Sequence, residues 1–183
     1  KETSKGAEEI VLTQIKQDFI TPANAIFDYV DMVEKVLNDL ELVSEDEISQ
    51  IKSSCSKLID QYDEAFILNT GVNASTNKKS PEEYSELRHN LRTPLNAIIG
   101  YSEILMEDYE DDLEQGAIDD FQQIITLARD TEKASEKFVD YIRGDSIDLN
   151  DDNATSQLEN AESLFKSLGD IEYSITLSDE IKQ

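Results

Sequence analysis

The sequence predicts an all-α protein: a four-helix bundle built from two antiparallel helical hairpins of one chain, an intrachain pseudo-dimer, followed by a short C-terminal helix/strand tail. Three observations carry this. Gly and Pro are scarce, six and three among 183 residues, so long elements run uninterrupted. Apolar residues alternate three and four apart over long distances, which is the pattern of bundled helices. The first half of the chain also recurs in the second.

In the first helix Ile15, Phe19, Ala23, Ile26, Val30, Val33, Leu37 and Leu40 form one stripe. Ser44 with Glu47 reads as a capping box that opens a second helix, whose stripe is Ile48, Ile51, Cys55, Leu58, Tyr62 and Ala65. Residues 70–81 break the pattern with Gly, Asn, Ser and Pro and read as a linker. Ser80 is a good N-cap and Pro81 a good first helical residue. The third helix carries Leu87, Leu91, Leu95, Ile98, Ser102 and Leu105. The acidic tip "EDYEDDLEQG" reverses the chain, and the fourth helix carries Phe121, Ile124, Ala128, Thr131, Ser135, Phe138 and Ile142, with Gly144 placed to end it. The expected organisation is a first hairpin over 8–69, a linker over 70–81, a second hairpin over 82–143, and 144–183 as an acidic tail or the start of a following domain.

The hairpins are a repeat. An offset of 72 carries Ile15, Phe19, Ala23 and Ile26 onto Leu87, Leu91, Leu95 and Ile98. Thr21-Pro22, Asn24-Ala25-Ile26 and Tyr29 recur as Thr93-Pro94, Asn96-Ala97-Ile98 and Tyr101. An offset of 73 carries Ile48, Ile51 and Cys55 onto Phe121, Ile124 and Ala128. A Pro inside a helix costs about 3 kcal/mol, so its presence at the same place twice argues for duplication. The linker is long enough to lay the hairpins side by side about a pseudo-twofold axis.

Composition excludes several functions. With 41 acidic and 16 basic residues the formal charge is -25 and the pI about 4.1, which argues against nucleic acid and against an anionic membrane surface. No apolar run approaches the roughly 20 residues of a membrane span, and no signal peptide is visible, so the expected location is cytoplasmic. Cys55 falls on an apolar row and reads as core packing. One His and one Cys exclude a His/Cys metal site. The acidic tip lacks the ordered ligand spacing of a calcium loop, so no metal site is expected.

His89 is the only histidine. It lies two residues from both Leu87 and Leu91, and each step of two turns 200° around a helix, so it points away from the core stripe. Thr93 lies one turn on, on the same face. Pro94 has no N–H, which leaves the carbonyl of Asn90 without its helical donor and predicts a bend. An exposed imidazole beside a hydroxyl and a weakened helical turn suits a nucleophile approached by another macromolecule. Periodicity alone goes no further.

The segment "HNLRTPLNAIIGYSEIL", from His89 to Leu105, resembles the phospho-acceptor motif of the dimerisation and histidine-phosphotransfer (HisKA-like) domain of two-component sensor histidine kinases. The first hairpin resembles the same domain more weakly. In that family two chains each give one hairpin to a four-helix bundle, so the resemblance implies a covalently joined dimer whose first copy is degenerate. Gln17 stands where the first copy needs its acceptor histidine. Asn90 stands where the family has Glu or Asp, and an amide cannot accept a proton at neutral pH, so attack on ATP is expected to be impaired. Thr93 is retained at the position associated with positioning water for dephosphorylation of a regulator. Asp18 corresponds to Asn90 but adjoins Gln17. The residues after Gly144 hold neither a P-loop nor the Asn- and Gly-rich nucleotide boxes of the kinases.

The expected function is that of a histidine phosphotransfer module of two-component signal transduction. His89 exchanges phosphate with an aspartate of a response-regulator receiver domain, and Arg88 and Arg92 contact the phosphoryl group or the partner. The chain is expected to need no cofactor of its own, with Mg²⁺ on the receiver, and to act as a monomeric pseudo-dimer. A kinase ATP-binding domain is a further possible partner. Two alternatives stay open: the acceptor part of a full histidine kinase whose ATP-binding domain lies outside this sequence, and a non-catalytic docking scaffold.

Overall fold

The computed structural model describes residues 2–42, 44–70 and 79–145; the expected helix/strand tail and linker residues 71–78 lie outside them. Four helices follow in order: α1 (Glu2–Asp39), α2 (Glu45–Asn69), α3 (Pro81–Asp108) and α4 (Gln115–Arg143). They belong to one compact unit. Short connections make successive helices antiparallel neighbours. α1 lies beside α2 and α4, and α3 lies beside the same two, so α1 faces α3 across one diagonal and α2 faces α4 across the other. Exchanging α1 with α3 and α2 with α4 leaves this arrangement unchanged, as a pseudo-twofold axis requires. α1 packs more extensively on α4 than on α2, its own hairpin partner. The two hairpins therefore share one core.

That core is the union of the four stripes. Ile15, Phe19, Ile26, Ile51, Leu58, Leu91, Leu95, Ile98, Phe121 and Phe138 are sealed from solvent, and burying each such side chain contributes about 1.5–3 kcal/mol. Phe19 stacks on Tyr62 with ring centroids 3.6 Å apart, and Tyr62 meets Phe138 at 4.9 Å, so α1, α2 and α4 are joined by one aromatic cluster. The buried Tyr62 hydroxyl donates to the carbonyl of Ile15 at 3.3 Å. Ser102 and Thr131, polar members of the stripes, donate to the carbonyls of Ile98 and Leu127 in their own helices, which satisfies them inside the core. Cys55 is buried and free, and burial pushes its thiol up to about 12.

Four sequence expectations need correction at the edges. Leu40 is 45% exposed, because α1 ends at Asp39 and the chain turns away. There the N–H of Leu42 donates to the Leu37 carbonyl and that of Glu41 to the Asn38 carbonyl, with Glu41 in the left-handed region at φ 56°. This is a Schellman ending with a non-glycine at its left-handed position. The Ser44–Glu47 capping box is absent: Ser44 has ψ 13° rather than an extended value, and its side chain makes no cap hydrogen bond. Leu87 and Ile142 are only half-buried, while Ala134 and Val139 join the core in the fourth helix.

Other boundaries agree. Ser80 and Glu83 form a reciprocal capping box at the start of α3, with bonds of 2.7 and 3.3 Å. Gly144 ends α4 at φ 88°. No helix among the described residues is long and apolar enough to cross a membrane.

Candidate functional site

α3 continues as helix through Pro94. Pro94 itself is buried, which turns His89, Asn90 and Thr93 to the outside, where all three are exposed. The Thr93 hydroxyl donates to the His89 carbonyl at 2.8 Å. This second bond falls in the turn that Pro94 deprives of a donor, and it ties the threonine to the backbone of His89. His89 thus sits on a reinforced turn with its ring open to solvent. At this level α3 is tied to α4 through Arg88 and Arg92. Arg88 pairs with Asp140, and Arg92 pairs with Glu132 at 2.7 Å and Glu136 at 2.5 Å. Both arginines flank His89 in sequence, yet their guanidinium groups are turned onto α4 and engaged within the hairpin. Sequence reasoning missed these pairs. The signal was present, because bases four residues apart at 88 and 92 face acids four residues apart at 132, 136 and 140.

The pseudo-symmetric position in the first hairpin keeps part of this pattern. Gln17 is exposed where His89 is, and the Thr21 hydroxyl lies 3.5 Å from the Gln17 side-chain oxygen. Lys16, the counterpart of Arg88, pairs with Asp63, the counterpart of Glu136, at 3.5 Å. Asp18, the counterpart of Asn90, is engaged: Lys137 of α4 holds it at 3.3 Å, with both side chains largely buried, and Gln14 donates to it at 2.6 Å. Of this pair of positions only Asp18, in the half without the histidine, is a carboxylate, and it works there as a tie between the hairpins.

Among the described residues no group of three or more His, Cys, Asp or Glu side chains is arranged to hold a metal ion. The chemistry available at the exposed site is that of one nucleophilic imidazole, one hydroxyl and one amide, on a rigid helix and open to a large partner. No curated protein and no solved structure matches the chain. Residues 83–146, the second hairpin, match the family model of the His Kinase A (phospho-acceptor) domain.

Proposed function

We propose that the chain is a histidine phosphotransfer module in which His89 exchanges a phosphoryl group with an aspartate of a response-regulator receiver domain. The observation that carries this is the exposure of His89 and Thr93 on one face of α3, within the segment matching the phospho-acceptor family. In the transfer, a ring nitrogen of His89 attacks the phosphorus of the receiver's aspartyl phosphate. The P–O bond to the aspartate breaks, the carboxylate leaves with the bonding pair, and the proton on the other ring nitrogen passes to solvent. The receiver supplies Mg²⁺. Thr93 orients water or the phosphoryl group one turn away. Arg88 and Arg92 reach a partner only by exchanging their α4 carboxylates for its acidic groups, so their main contribution is to position α3.

Asn90 favours this direction of chemistry. The same imidazole attacks in either case, but an acyl phosphate is a more activated donor than ATP, so transfer from it depends less on a base beside the ring, which the Asn90 amide cannot provide. A second reading is favoured by the family match itself: the chain is the acceptor part of a histidine kinase, and an ATP-binding domain phosphorylates His89. A docking scaffold without phosphorylation is the third.

Intact-mass spectrometry separates them. After incubation with phosphoramidate, or with phosphorylated receiver domains, the wild-type chain is expected to gain one acid-labile phosphoryl group and His89→Gln none. Labelling by an ATP-binding domain but by no receiver establishes the kinase reading. Failure of every donor to label His89 makes the bundle a scaffold.

A further inference from the structure

The position after His89 is an amide, so a carboxylate that serves the ring comes from another turn. On a helix the neighbours of a side chain lie three and four residues away. For His89 these are Ser85, Glu86, Arg92 and Thr93, and Glu86 is the one acid among them. Helical side chains lean toward the N-terminus, so the imidazole lies over the turn that carries Glu86. Both residues are exposed.

The first hairpin shows how side chains meet on this face. The 72-residue offset carries Gln14 onto Glu86 and Asp18 onto Asn90, and Gln14, as long as a Glu, donates to Asp18 at 2.6 Å. In the second hairpin donor and acceptor change ends: the amide is at 90 and the carboxylate at 86. The residues one turn from Glu86 on α3 are Glu82, Glu83, His89 and Asn90, and Glu83 closes the Ser80 cap. Arg88 and Arg92 are turned onto α4. The lysine that holds Asp18 has no counterpart, because an offset of 73 returns Lys137 to Glu64. Among the described residues no side chain engages Glu86 or the His89 ring, which leaves each open to the other.

We propose that Glu86 is the positioning carboxylate of His89: it accepts the Nδ1–H of the imidazole, is held in turn by the Asn90 amide, and so leaves Nε2 at the ring tip unprotonated for attack. This rests on the reading that His89 is phosphorylated. The hydrogen bond fixes the tautomer. When Nε2 bonds to phosphorus and the leaving group departs with its electron pair, the ring becomes cationic, and the carboxylate stabilises it until the Nδ1 proton passes to solvent. An acid at 90 would repel Glu86 one turn away, whereas the Asn90 amide steadies it.

The test is nitrogen NMR of the His89 ring in the full chain, together with the rate of labelling by phosphoramidate, a donor too small to need a docking surface. The wild type is expected to hold the Nδ1–H tautomer. Glu86→Ala is expected to lose that preference and to label about tenfold more slowly, although removing a negative charge alone would speed attack on an anionic donor. Glu86→Gln keeps an acceptor oxygen and is expected to retain the tautomer. Glu82→Ala, two turns from His89, is expected to match the wild type in both. These positions are exposed, so the variants keep the fold, which circular dichroism verifies. Glu86→Ala labelled as fast as the wild type, or with its tautomer unchanged, overturns the positioning role and leaves phosphorylation of His89 intact. Glu82→Ala slowed as much as Glu86→Ala overturns it too, because charge rather than contact would then act. If no donor labels the wild type, the phosphotransfer reading falls by itself, and the tautomer of Glu86→Ala still decides whether the carboxylate holds the ring.

Discussion

Cys55 shows at the scale of one residue how burial sets chemistry. Its thiol is held up to about 12 by desolvation, against an ordinary 9.0. The thiolate is the reactive form, so native protein is expected to resist a thiol reagent at pH 8 and to react fully in denaturant; rapid native labelling would contradict the burial. The sign of the linkage follows. The folded value lies above the unfolded one, so this contribution to stability is intact below about pH 9 and declines as the pH rises toward 12. At the exposed site single residues were readable in advance. The outward placement of His89 and Thr93 follows from their spacing to Leu87 and Leu91. The engagement of Arg88, Arg92 and Asp18 was not readable, because each partner lies on a helix distant in sequence.

At the scale of elements the two hairpins end and begin their helices with different quality. α1 and α4 both close in Schellman endings, but α4 has Gly144 at the left-handed position and α1 has Glu41. A non-glycine there carries a steric cost, so Glu41→Gly is expected to stabilise the protein by up to about 1 kcal/mol after the added entropy of the unfolded chain. Urea denaturation measures it, and a destabilised variant would mean that the turn relies on the Glu41 side chain. Capping gives a paired prediction. Ser80→Ala removes a formed capping box and is expected to cost about 1 kcal/mol, whereas Ser44→Ala removes no cap hydrogen bond and is expected to cost less. Equal losses would show that Ser44 caps in solution. The two serines look alike in sequence, since each precedes a Glu by three residues. Their backbone angles differ: Ser80 is extended and Ser44 is held at ψ 13° by the turn from α1.

At the scale of the whole molecule the hairpins share an aromatic cluster, the Asp18–Lys137 tie and the broad α1–α4 contact. The chain is therefore expected to sediment as a monomer and to unfold thermally in one transition by circular dichroism and by tyrosine fluorescence. Two separated transitions would mean that the hairpins fold as independent units. The sequence by itself determined the four helices, their buried stripes, the internal repeat and the exposure of the face that carries His89 and Thr93, because helical periodicity acts over a few residues and leaves its mark on each segment separately. Only the tertiary structure decided which helices are neighbours, that Leu40 falls outside the core, that Arg88 and Arg92 are committed to α4, and that Asp18 binds Lys137 across the hairpins. Those outcomes depend on the register between helices tens of residues apart, which packing of the whole core sets and no local pattern records.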